Sequence, residues 1–473
     1  MKRLVIVIFI MFGVFLAFSL YKTYAYDTSV VEETSSTTDL EYTFKIGNSS
    51  IKQITVDSGE TKYYDVVLGN PNPAKISYGV YYEMVSPSSK PDGFSIEYTS
   101  KSTGESTGKV DKEGIITLNL VVTNTSSSSV TVKLGTVAGY VNGGELTLNS
   151  GQEFIPKRLT GAEYVMSLDD GTTGDSGSGV YKVHHDAIPA ESSATGEVIE
   201  ATNDYRYYGA SPDNYICLDM EGQSSCPDRG LYRIIGSIYE SNSKDYSLKI
   251  RKATPLHNQA VNSYVYNYGI NTWATITSNN FSNSLTSGTS IMKLLNSGDW
   301  WNNTNDYLNY GITDIAKEMV SLSVFYLGGS SSSALISDQM YIYERGINRS
   351  SANKPLFWLG KIGLMYASDY GYASGNNCAK NVNLSDYRSK CSPLNWLNNA
   401  NMAQWLINSP KNGDYSALNV DYTGDVNYTM YIAPEEDDQS YSYLVYPSFY
   451  INSDVVIASG TGSETNPYQI ELG

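Results

Sequence analysis

Histidine and cysteine, the side chains that most often carry covalent or metal chemistry, are used sparingly in this sequence. Only three histidines occur, His184, His185 and His257. A histidine acts as a general base when a neighbouring group fixes its tautomer and aims it. His184 and His185 adjoin Asp186 in a Gly/Ser/Asp-rich stretch, and His257 follows the Pro-containing loop Ala253-Thr254-Pro255-Leu256, so all three are expected as ordinary surface histidines. Asp and Glu total 49. Two of them about 5–9.5 Å apart would be enough for glycoside hydrolysis, yet no pair stands out by spacing. No catalytic residue, metal ligand or cofactor is expected.

The four cysteines are Cys217, Cys226, Cys378 and Cys391. None forms a C-x-x-C pair, so zinc and thioredoxin chemistry lack their spacing, whereas an oxidising exterior favours disulfides. Of three possible pairings, Cys217–Cys226 with Cys378–Cys391 is preferred, because each bond closes a short local loop, worth about 3 kcal/mol by chain entropy. One string invites a nucleophile reading. Gly174-Asp175-Ser176-Gly177 resembles the loop around the serine of trypsin-like proteases, but there the base His precedes the Ser, and here all three His follow it. The surrounding Asp169 to Gly179 tract reads as a flexible linker.

Binding chemistry is better represented. The chain holds 41 Tyr, and its last quarter interleaves Tyr with Asn, Ser, Asp and Trp. Tyrosine offers large contact area at low rotamer-entropy cost, while Ser, Gly and Asn adapt their hydrogen bonds. Tyr422, Tyr428, Tyr441 and Tyr443 sit in the most polar of these stretches and are the candidate ligand-binding residues. Trp358, Trp396 and Trp405 are expected in the core, where large aromatics dominate burial.

These residues must be carried by an exported chain. Met1-Lys2-Arg3 leads into an uncharged apolar run from Leu4 to Tyr21. Its length suits a retained span better than a cleaved signal, although Thr23 and Ala25 offer a cut before Tyr26. In either case the bulk of the chain lies outside the cytoplasm, with Lys2 and Arg3 inside. The C-terminal Asn466–Gly473 has no apolar tail, so no second anchor is expected. Charged residues make up 17% and the formal charge is −17, which leaves no basic footprint for nucleic acid.

The expected organisation is a signal or transmembrane segment over 1–25, a polar stalk over 26–39, a β-sandwich over 40–156, a linker over 157–204 and an α+β head over 205–473. β-Branched and aromatic runs such as Lys62–Leu68, Ile76–Met84, Ile115–Val122 and Val130–Leu134, separated by clusters such as Gly69-Asn70-Pro71-Asn72-Pro73, suggest an antiparallel immunoglobulin-like sandwich. It holds neither Cys nor Trp, so it is not an antibody-type domain. In the head, strands flank apolar helical patterns at Ile291–Trp301 and Ile312–Leu322, which indicates α+β.

Several stretches of the head together resemble a family of surface proteins from Gram-positive gut bacteria. They are Tyr205-Arg206-Tyr207, Asp213-Asn214-Tyr215-Ile216-Cys217, Leu231-Tyr232-Arg233-Ile234-Ile235-Gly236 and the run from Trp358 to Ala373. Trp396-Leu397, Trp405-Leu406 with Ser409-Pro410, and the closing Ser459 to Tyr468 complete the set in order and spacing. The resemblance is to a domain and brings no activity with it. More distantly, the layout is similar to C-type-lectin-like domains of the formylglycine-generating-enzyme and fibrobacter-paralogue type. Those domains carry Arg before Pro where this chain has Tyr446-Pro447, and Cys378 and Cys391 do not match the paired cysteines of the superfold's enzymes. Ala433-Pro434-Glu435-Glu436-Asp437-Asp438 is not the calcium motif of its lectins. Leader, composition and layout together lead to the expectation of a membrane-tethered or secreted surface protein whose C-terminal domain binds a glycan or protein. An exported hydrolase and a structural matrix component are the alternatives.

Overall fold

Partial alternation, as in Ile115-Ile116-Thr117-Leu118-Asn119-Leu120-Val121-Val122, where Ile116, Leu118, Leu120 and Val122 fall at every second position, buries one face in a strand. A computed structural model of the chain describes residues 43–46, 53–100, 108–110, 112–140, 146–156, 158–219, 225–258, 263–264, 266–267, 295–296, 307–330, 332, 334–347, 355–398, 402–408, 416–430 and 443–472. The leader, the stalk, most of the helix expected at 291–301, the acidic string at 433–438 and Tyr441 lie outside them. With 43% strand against 16% helix, the chain is mostly β. Among the described residues no helix is long and apolar enough to cross a membrane. The chain divides into two compact units, Met1–Lys157 and Arg158–Gly473.

The first unit is two antiparallel sheets around one core. Its strands are β1 (Thr43–Ile46), β2 (Gln53–Val56), β3 (Glu60–Gly69), β4 (Ile76–Ser86), β5 (Phe94–Ser100), β6 (Lys109–Val110), β7 (Ile115–Asn124), β8 (Val130–Tyr140) and β9 (Gln152–Phe154). One sheet runs β1-β3-β7-β5, and the other β2-β8-β4-β6 with β9 also on β4. Leu118, Leu120 and Val122 of the first share a core with Val80, Val130, Val132 and Leu134 of the second. Asparagines close the strand ends. Fully buried Asn124 donates to the Val56 and Ser128 carbonyls and accepts from the Ser126 amide and hydroxyl. Each such bond is worth about 1 kcal/mol net, and more if a buried partner is left unmade.

The second unit starts earlier than composition suggests. Residues 157–204, expected as linker, are folded into it from Arg158. Helix Gly161–Ser167 begins in a capping box, with Thr160 and Glu163 bonding each other's backbone, and β10 (Gly179–His185) buries Val180, Tyr181 and Val183. Gly and Asp abound here because the chain turns tightly. Gly174 sits at φ +69°, a Cβ there would meet the Tyr181 ring at 2.7 Å, and its carbonyl accepts from the Asn376 amide. A low-complexity composition serves tight turns and flexible linkers alike.

β10 pairs β11 (Thr202–Tyr208), which pairs β13 (Leu231–Glu240). β13 lies between β12 (Tyr215–Cys217) and β14 (Asp245–Lys252). Strand Ser448–Ile451 extends the sheet from β14, and Tyr468–Leu472 joins β12 in parallel. From Ser247 to Lys252 β14 is buried on both faces, because helices Ser337–Arg345 and Ala367–Tyr372 and a second, five-stranded sheet belong to the same unit. Trp358, Trp396 and Trp405 are in the core. The pattern expected over Ile312–Leu322 forms helix Asp314–Met319. Cys217–Cys226 and Cys378–Cys391 are disulfide-bonded, as the spacing suggested, and among the described residues no cysteine is free. Two disulfides fit an oxidising, extracytoplasmic environment.

Candidate functional site

Where both faces of a strand are covered, charged side chains in it are buried and must find partners. β11 contributes Asp204 and Arg206, β14 Lys249, helix Ser337–Arg345 both Glu344 and Arg345, and helix Ala367–Tyr372 Asp369, all buried. Arg206 donates through Nη2 to Asp204 Oδ2 at 2.7 Å and through Nη1 to Asp369 Oδ1 at 2.8 Å. Asp369 Oδ2 accepts from Lys249 Nζ at 2.6 Å and from the Tyr366 amide at 2.9 Å. Glu344 accepts from the Ser368 amide and hydroxyl, with Arg345 Nη1 at 3.3 Å.

His184 is exposed, with Nδ1 3.0 Å from Asn203 Oδ1. His185 is not the surface histidine expected. β10 turns it inward, its Nε2 lies 2.9 Å from Asp204 Oδ2, and its ring stacks on Tyr341 at 3.7 Å. The other Tyr341 face carries the Arg345 guanidinium, 3.5 Å from the ring centre. The side chain of His257 lies outside the described residues.

Burial and pairing compete in every one of these groups. Burial pushes Asp369 up, but Lys249 and Arg206 hold it down at about 2. Burial lowers Lys249 to about 8 against the pull of Asp369, and it lowers His185 despite Asp204. Glu344 is pushed up to about 7 by burial, against the Arg345 charge and the Ser368 hydrogen bonds. A carboxyl raised in the folded state stabilises fully below its unfolded value near 4.5 and loses that contribution as pH climbs through about 7. Glu344→Gln is therefore expected to flatten the decline in the urea midpoint of the second unit between those two pH values.

The network braces the wall of a surface pocket. Tyr239, Glu240 and Asn242 at the end of β13, Tyr326 from strand Ser323–Tyr326, and Tyr341 and Arg345 line it. The Tyr326 hydroxyl lies 2.9 Å from Ser241 Oγ, and its amide donates to the Tyr366 hydroxyl at 2.8 Å. Glu240 differs from the other buried acids. Both its oxygens are inaccessible, and burial raises the carboxyl above its ordinary range against the pull of the Ser247 and Ser323 hydroxyls and the Lys249 charge. A half-exposed ring at Tyr239 and the polar rim at Ser241 and Asn242 suit recognition of a polar, partly apolar ligand.

The candidate tyrosines are not gathered into one patch. Tyr422 is 67% exposed on the turn that Asp421 Oδ1 fixes through the Thr423 and Asp425 amides. Tyr428 is in strand Val426–Met430, its side chain outside the described residues. Tyr443 is half-buried, with its ring 4.5 Å from Trp405. The strands of Tyr428 and Tyr443 are separated by strands Gln404–Trp405 and Ser416–Val420, three spacings or about 14 Å. Among the described residues no group of His, Cys, Asp and Glu could hold a metal ion. No family model matches the chain, and no curated protein or solved structure does either.

Proposed function

We propose that the chain is an exported cell-surface binding protein whose second unit recognises a glycan, with the first unit as spacer and the Leu4 to Tyr21 run as its attachment or export signal. The observation that carries this reading is the pocket walled by Tyr239, Tyr326 and Tyr341, with Tyr239 half-exposed and Asn242 exposed at its rim. Tyr239, half-exposed, offers a ring of the kind that stacks on sugar faces, and amides and hydroxyls at a rim meet sugar hydroxyls. Hydrolysis needs two available carboxyls, and beside Glu240 the Glu344 carboxyl is already engaged by Ser368 and Arg345.

The finer fold assignments support the same picture. The order β1-β3-β7-β5 is that of the A-B-E-D sheet in an immunoglobulin constant-type sandwich, with β2 beside β8 where strand G would lie. Short strands, interleaved helices and two local disulfides are in keeping with a C-type-lectin-like head and with the Gram-positive surface-protein family.

Titrating a glycan panel against the full chain, disulfides intact, tests the proposal. Saturable binding is expected, weakened about tenfold or more by Tyr239→Ala. A chain that binds no glycan saturably would overturn it.

A further inference from the structure

We infer that the ligand is a glycan carrying an acyl or alkyl chain, with its sugar at the Tyr239 and Asn242 rim and its chain along an apolar ledge on strand Phe357–Gly360; this rests on the binding reading above. That strand pairs antiparallel with Ser323–Tyr326, and its residues alternate between two faces. Trp358 turns inward, where its ring meets Phe325 in the core. Phe357 and Leu359 turn outward and are 39% and 43% exposed. A strand that is apolar on both faces is ordinarily covered on both. Here the outer face is open.

The ledge continues the pocket. Val324 and Tyr326 both line the pocket, and their direct cross-strand neighbours are Leu359 and Phe357, which sets the Cβ atoms of each pair about 4.5–5.5 Å apart. Leu322, two residues before Val324, extends the apolar surface at 54% exposure. None of these side chains is charged, whereas the rim offers the half-exposed Tyr239 ring and the exposed Asn242 amide. An occupant that reaches from rim to ledge is therefore polar at one end and apolar at the other. The ledge is too small for a protein partner. Phe357, Leu359 and Leu322, each partly covered already, expose far less than the roughly 800 Å2 per partner of a stable protein interface. It suits a single hydrocarbon chain, since Phe357 and Leu359 stand about 7 Å apart along their strand, a distance that an octyl chain covers.

Calorimetric titration of the full chain, disulfides intact, with the methyl and n-octyl β-glycosides of glucose, galactose and N-acetylglucosamine, each below its micelle concentration, tests this. A further probe, n-octyl phosphocholine, supplies the same chain without a sugar. The octyl form of a sugar that binds is expected to bind about tenfold or more tighter than its methyl form, the gain from covering about two methylene groups. Leu359→Ser and Phe357→Ser, both at exposed sites and shown folded by tryptophan fluorescence, should each shrink that preference about threefold or more. Equal binding of the methyl and octyl forms by the natural chain, or an undiminished preference in both variants, would overturn the acyl-chain inference while leaving glycan binding in place. Octyl phosphocholine binding as tightly as the best octyl glycoside would overturn it in favour of a surface that takes any apolar chain. No binding of any glycoside would remove the glycan reading as well.

Discussion

Replacing Asp369 with alanine is expected to lower the unfolding free energy of the second unit by about 3–5 kcal/mol, the usual consequence of stranding a buried charge. The substitution would leave the Arg206 Nη1 and Lys249 Nζ donors, both groups no more than 1% exposed, without the oxygens they now share. It also removes the acceptor of the Tyr366 amide at the start of helix Ala367–Tyr372. Urea unfolding followed by tryptophan fluorescence reads the effect on one unit alone, because all six Trp lie beyond residue 158. Lys182→Ala, an exposed site on β10, should shift the same curve by less than about 0.5 kcal/mol. An Asp369→Ala curve as close to the natural one would mean that solvent reaches the network.

Removing the Cys378–Cys391 bond by Cys391→Ser is expected to cost about 3 kcal/mol by loop closure alone. Both sulfurs are buried, and the bond ties helix Asn376–Asn381 to the turn at Ser392–Leu394. Beyond that turn Asn395 donates through Nδ2 to the Tyr370 carbonyl at 2.6 Å, and Trp396 donates through Nε1 to the Tyr207 carbonyl at 3.1 Å. Loosening it should raise amide exchange at 392–398 as well as lower the urea midpoint. A stability loss without local exchange would show the bond acting only on the unfolded chain.

Some of this was legible in the sequence for identifiable reasons. The first unit's strands announce themselves because one face meets water and the other a core, so Leu118, Leu120 and Val122 alternate with polar or half-exposed partners. The disulfides were legible because each joins cysteines 9 or 13 residues apart. The buried network was not. Lys249 stands between Leu248 and Ile250 in a strand covered on both faces, which erases alternation, and its partner Asp369 is 120 residues away. Arg206 and Asp369 both lie in stretches that carry the family resemblance, but nothing in either stretch says that they meet. A signal did exist: a charged residue flanked by apolar β-formers inside a strand calls for a distant counter-charge. Composition does not tell the tyrosines apart, because the same residue type serves recognition and core. Tyr443 packs on Trp405, while the pocket tyrosines Tyr326 and Tyr341 come from a strand and a helix that composition does not single out.

Amide hydrogen exchange of the full chain, with and without a glycan that binds it, tests most directly whether recognition takes place at the pocket. Protection is expected at Tyr239–Asn242 and along Ser337–Arg345, with little change at Tyr422 on its exposed turn. Protection confined to the 416–430 hairpin, with the pocket unchanged, would contradict the account and return the binding site to the loop tyrosines.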